Sequence, residues 1–129
     1  MAQDIPGSSA TEERIRGWHA HVYFDASTVE HARSLCEEAA RLFEVKMGRV
    51  HEKIVGPHPA WSCQLALRPA VFAQLIPWLV LHRQGLAVFI HPITGNDLVD
   101  HRDHGLWLGT PMAMNLSVFN DQPATQFDM

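Results

Sequence analysis

Cysteine is scarce in this chain, and the two present, Cys36 and Cys63, lie 27 positions apart with no Cys-x-x-Cys spacing. That count excludes a disulfide-dense secreted scaffold and a cysteine-built zinc site. Two buried thiols of a cytosolic protein is the better reading than a disulfide pair. Long apolar runs are also missing: the longest, Leu75 to Leu81, is seven residues and contains Pro77, so no segment is expected to span a bilayer. The first residues, MAQDIPGSSATEER, are polar and have no hydrophobic signal core, which points to a cytoplasmic protein. Positive charge is thin: ten Lys and Arg against fourteen Asp and Glu give a net charge of −4. The cations are scattered, which excludes a nucleic-acid footprint and a polybasic membrane patch.

What is present is enough apolar material for a core. Hydrophobic residues make up 47% of 129 residues, which is the size and composition of one globular domain. Residues 1–14 read as a flexible leader, 15–119 as the domain and 120–129 as a loose tail. Within the domain, Trp18, Ala20, Val22 and Phe24 alternate with His19, His21 and Tyr23, the period-two pattern of a strand with one apolar face. Ser27 and Glu30 have capping-box spacing before a helix over about 28–43, whose apolar positions recur at steps of three and four. Val45, Met47, Arg49 and His51 predict a second strand, and residues 60–67 a third. Pro69 suits the first turn of a second helix that contains Pro77 and ends near Gly85. Residues 86–91 predict a fourth strand, 94–104 a loop, and 106–108 with 114–119 short C-terminal edge strands.

The order β-α-β-β-α-β predicts an α+β, ferredoxin-like fold. It comprises a four-stranded antiparallel sheet with two helices on one face and extra C-terminal edge strands. The other face is open and available to a ligand or to a second copy in a homodimer.

Nine histidines are the distinctive content. Residues i and i+2 of a strand share a face, so His19 and His21 point to the open side while Trp18, Ala20 and Val22 enter the core. Leu86, Val88 and Ile90 form the better core set of the fourth strand, which turns His91 to the open side as well. With the fourth strand antiparallel to the first and beside it, His91 lies near His19 and His21, and three imidazoles can supply three metal ligands. His58, held between prolines in Gly56-Pro57-His58-Pro59, falls at the opposite end of the first strand. Either its turn folds back over the open face, or it serves a partner's site. His101 and His104 sit in a loop able to close over that face, and Asp100 and Asp103 are candidates to orient those rings or to ligate. His31, His51 and His82 read as ordinary surface residues.

Five segments together resemble the DOPA 4,5-dioxygenase family: HAHVYF (19–24), GPHPAW (56–61), PWLVLHRQG (77–85), VFIHPITG (88–95) and DHRDHGLWLG (100–109). The resemblance implies a self-associating ferredoxin-like domain and non-haem Fe(II) chemistry that opens a catechol ring, such as that of L-DOPA, beside one hydroxyl with O₂. On that basis His19, His21 and His91 are the ligand candidates, with Fe(II) the expected ion and zinc or another divalent ion able to take its place. His58 and His101 are the catalytic candidates, and Tyr23, His104 and Trp107 the substrate-contact candidates. The usual two-histidine, one-carboxylate motif of such iron sites has no evident carboxylate here. A non-catalytic metal-binding protein and a cofactor-independent oxygenase of the dimeric ferredoxin-like type are the competing functions.

Overall fold

The computed structural model of the protein describes residues 14–120 and 124–129, so nearly all of the expected leader lies outside the described residues. Strand β1 (Gly17–Phe24) occupies the middle of the sheet, flanked on one side by β3 (Trp61–Leu67) and on the other by β4 (Val88–Ile93). Beyond β3 lies β2 (Val45–His51), and beyond β4 lies β5 (Leu106–Leu108). The sheet is antiparallel in the order β2-β3-β1-β4-β5. It therefore has five strands, the expected four extended by Leu106–Leu108 as the edge strand anticipated there. That strand pairs with β4 only as far as Ile90 and stops short of Pro92, a residue with no N–H to donate.

Helices α1 (Val29–Leu42) and α2 (Phe72–His82) cover one face. Val29, Ala32, Leu35, Cys36 and Ala39 make the buried stripe of α1, and the small side chains among them let the helix sit close to the strands. They meet Ala20, Val22, Cys63, Leu65, Leu67, Val88 and Ile90, all within one apolar core in which both cysteines are buried, free thiols. The α1 start differs from the expected capping box. Thr28 is the N-cap with no side-chain cap bond, and Asp25 Oδ1 instead accepts from the backbone N–H of Ser27 (2.9 Å) and of Thr28 (3.1 Å). The Ser27 hydroxyl itself donates to Asp25 Oδ1 at 2.7 Å, so it does not cap the helix N–H that its spacing to Glu30 suggests.

Two further expectations are corrected. Residues 94–104 are not all loop, because Asp97–Arg102 forms a short helix, α3, whose N-cap Asn96 accepts from the Val99 N–H at 3.2 Å. Residues 114–119 form no strand. Leu116–Phe119 is a 3₁₀ turn opened by Asn115, whose side chain accepts from the Ser117 N–H. The segment 124–129, part of the stretch read as a loose tail, carries two anchored residues. Thr125 bonds to Asp97, and the Phe127 ring lies over Gly17, where an added Cβ would come within 2.2 Å of it. Among the described residues, no helix is long and apolar enough to cross a membrane.

Candidate metal centre

The register of the sheet sets the site. On the face opposite α1 and α2, Lys46, Ala66, His19 and His91 form one row across β2, β3, β1 and β4. The next row is Gln64, His21, Phe89 and Trp107 across β3, β1, β4 and β5. Tyr23 stands opposite Ser62 in the third. Alternation thus brings His19, His21 and His91 together from two adjacent strands, all buried, with ligand nitrogens within 4.8 Å of one another. His21 Nε2 and His91 Nε2 are 3.1 Å apart.

The donor chemistry fits a divalent ion. Ligand nitrogens about 2.1 Å from one ion lie about 3.0–3.4 Å apart in a tetrahedral or facial arrangement, so the His21–His91 pair already fits and the third ring can close any wider spacing by rotating. The Pro92 carbonyl, which can only accept, lies 3.0 Å from His91 Nδ1. The proton of that ring is therefore on Nδ1, and Nε2 is a bare lone pair facing His21. The same logic holds for His101, whose Nδ1 donates to the Asp97 carbonyl at 2.7 Å.

His58 is brought into the same cavity by its own chain. Gly56 takes a left-handed conformation (φ 54°), the His58 N–H closes the turn onto the Val55 carbonyl, and the Asn115 N–H holds the turn through the Pro57 carbonyl. The turn folds back over the open face, so a partner subunit is not required to place this residue. His58 Nδ1 lies 2.7 Å from the Tyr23 hydroxyl, and the His58 and His21 ring centres are 4.2 Å apart. His101, from α3, packs with its ring centre 3.9 Å from that of His91. The cavity lined by the five histidines has a volume of about 210 Å³, and Pro57, Gln64, Asp97, Phe119 and Thr125 complete its wall.

Burial dominates the electrostatics. It lowers the pKa of His19 to about 4, helped by the charge His101 would carry and opposed by Asp97. It lowers that of His58 to about 4 as well, followed by repulsion from His101, His19 and His51. His21 and His91 are pushed well below the ordinary imidazole value by burial and then by neighbouring imidazoles. His101 is lowered by burial too, with the Asp97 carbonyl and the carboxylates of Asp97 and Asp100 opposing. Every ring is therefore neutral at pH 7, the state in which imidazole ligates. Burial raises the Tyr23 pKa, so its phenol keeps its proton.

Not every candidate joins the site. His104 is exposed and lines a separate hollow with Trp18 and Pro92. Trp107 shares the open face but packs on Tyr23 and Phe89, with ring centres 5.7 and 4.8 Å away. Asp100 is fully buried and accepts from the Thr94 N–H (2.8 Å) and hydroxyl (2.5 Å), while Asp103 is exposed and paired with Arg102. Neither acts as a ligand, and the metal-ligating group among the described residues is three imidazoles with no carboxylate. The acidic residue on the cavity wall is Asp97, four positions before His101 and on the same side of α3. That spacing carries a signal only on a helix, and 97–102 was expected to be loop. Gln64 could have been found from its alternation with Cys63 and Leu65, whereas Phe119 and Thr125 left no local signal.

The Dopa 4,5-dioxygenase family profile matches residues 18–118, which include every histidine in the cavity. The chain belongs to the Dopa 4,5-dioxygenase family. It is 30% identical over 115 residues to the DOPA 4,5-dioxygenase of Amanita muscaria, covering 82% of this chain and 50% of that protein. It is 35% identical over 117 residues to an uncharacterised 21.2 kDa protein of Botryotinia fuckeliana, covering 81% and 64%. The chain thus spans about half to two-thirds of these curated relatives. A crystal structure of a candidate dioxygenase from Nostoc punctiforme superposes with a TM-score of 0.80 at 43% identity, covering 81% of this chain and 91% of that one. Family membership makes the protein dioxygenase-like, and the buried histidine triad is a group able to hold a metal ion.

Proposed function

We propose that the protein is a metal-dependent extradiol dioxygenase. It would open the ring of a catechol such as L-DOPA beside one hydroxyl and place both atoms of O₂ in the product. The observation that carries this reading is the convergence of His19, His21 and His91 in one buried cavity, with the His91 tautomer set by the Pro92 carbonyl. These three residues would hold Fe(II), and zinc or another divalent ion can occupy the same donors in purified protein. The ion supplies open coordination positions for the two catechol oxygens and for O₂.

The chain's own groups do the rest. His58, neutral and beside His21, takes a catechol proton and later returns one. The Tyr23 hydroxyl can donate to His58 Nδ1, leaving Nε2–H, or accept from it, leaving Nε2 as a base, so the pair accommodates both states of the ring. His101 borders the ring of His91, and Phe119, 4.4 Å from His101, helps to keep water out. Tyr23 acts through His58, Trp107 supports Tyr23 and Phe89 from behind, and His104 belongs to an outer approach. The same reading includes a cytoplasmic homodimer and a ferredoxin-like core, β2-β3-β1-β4, extended by β5.

Anaerobic loading with Fe(II), followed by a panel of catechols and O₂, tests it. One O₂ consumed per coloured ring-opened product is expected. Failure across the panel with iron bound rejects the reading, and turnover that survives full chelation favours a cofactor-independent oxygenase instead. His58→Gln is expected to lower kcat by about 10²–10⁴-fold while leaving metal content intact.

A further inference from the structure

Two strands away from His19, the open face carries a cation. Lys46 pairs with Ala66, and Ala66 pairs with His19, which puts Lys46 on the row of His19 and His91 at roughly 10 Å, two interstrand spacings, from the His19 backbone. Its neighbours Val45, Met47 and Val50 pack on the helix-side core, so Lys46 stands on the histidine side. It lines a hollow of about 260 Å³ that meets the histidine cavity at three shared residues, His19, Gln64 and Thr125. Gly48 lines the same hollow without a side chain to fill it. With the histidines neutral, Lys46 is, among the described residues, the one positively charged side chain lining either space.

The chain already shows what this cation takes. Lys46 Nζ lies 3.0 Å from Asp128 Oδ2, and both side chains are more than half exposed. Asp128 arrives on the segment that Thr125 anchors to Asp97, so a carboxylate from the chain itself sits at the outer end of the joined cavities. An exposed pair of this kind is weak and exchangeable.

We propose that Lys46 is the residue that binds the carboxylate of the substrate, an aromatic acid with a short side chain, and that Asp128 holds this position until the ligand displaces it. The ring would lie in the histidine cavity, which is the part of this inference that rests on the proposed function. The flexible lysine stem accommodates acids of somewhat different length, whereas a neutral ring gains nothing from it.

The test is calorimetric binding of 3-phenylpropanoate and of its uncharged amide to the full chain. Wild type should prefer the acid. Lys46→Met should weaken the acid by roughly tenfold to a hundredfold with the amide little changed, and Lys46→Arg should keep most of the preference. Asp128→Asn, which removes the internal competitor, should tighten the acid by about twofold to fivefold. Equal effects of Lys46→Met on acid and amide, or none on either, overturn the assignment, and so does an Asp128→Asn variant that binds the acid no better. The two proposals fail separately. Lys46-dependent acid binding without turnover of any catechol leaves this inference standing and ends the ring-cleavage reading. Catechol turnover in which Lys46→Met treats 3,4-dihydroxyphenylpropanoate and 4-methylcatechol alike does the reverse.

Discussion

The two faces of one sheet are built by opposite rules from the same strands. In β1, Ala20 and Val22 enter the helix-side core while His19, His21 and Tyr23, their immediate neighbours, are just as inaccessible on the other side. The helix side is closed by apolar stripes on α1 and α2. The histidine side is closed by pieces with no periodicity: a proline-bracketed turn, the six-residue α3 and the segment around Thr125. The first face keeps its contents dry by area buried, the second by a few specific hydrogen bonds. Burial on the second face does chemical work, because it keeps five imidazoles neutral and able to ligate or exchange protons.

This contrast can be broken most completely at His91. His91→Ala removes one of the three candidate ligands and is expected to abolish stoichiometric metal retention with the fold intact, read by metal analysis beside circular dichroism. Leu65→Ala, in the opposite layer, should do the converse. It should cost about 2–5 kcal/mol of stability by denaturant unfolding and leave the metal-to-protein ratio of the folded fraction unchanged.

Acid should separate the faces without mutation. His19 and His58 titrate near 4 in the fold and near 6.5 when unfolded, so the unfolded chain binds more protons between those values. Their neutral burial is without penalty above about pH 6.5, and stability falls as pH drops towards 4. Going from pH 7 to 5 should cost about 2 kcal/mol for each ring in metal-free protein. Denaturation midpoints that do not move over this range would show that the histidine side is wetter than described. The smallest effect is expected at Thr125→Val, which removes the hydroxyl bond to Asp97 but keeps the backbone one. A loss of about 1 kcal/mol, with faster amide exchange confined to 124–129, is the expected result.

The helix-covered face was largely legible in the sequence because its signal is periodic and repeated. Alternation placed His19 and His21 opposite Ala20 and Val22, and the pairing of β1 with β4 aligned His19 with His91. What was not legible depended on closures made at long range or by single bonds. Nothing local says that the Gly56–Pro59 turn folds inward, since its position is held by Asn115, more than fifty residues later. Helix α3 was missed because its six residues carry only two apolar side chains, the adjacent Leu98 and Val99, which make no apolar stripe, so its only signs were the Asn96 cap and the Asp97–His101 spacing. The absent carboxylate ligand was readable only as an absence, and the structure accounts for it by tying both oxygens of Asp100 to Thr94.

The row that joins His19 to His91 has a consequence for how the chain finds its native state. Side chains alternate strictly along a strand, so a slip of β1 by one residue against its neighbours would carry three polar rings into the apolar layer and present Ala20 and Val22 to the cavity. A misaligned intermediate would therefore bury unpaired imidazoles against leucine and isoleucine, and no neighbouring carbonyl there would rescue them. The histidines act as proofreaders of the central strand: the arrangement that completes the core is the one that assembles the site, and an error in either is penalised by the other.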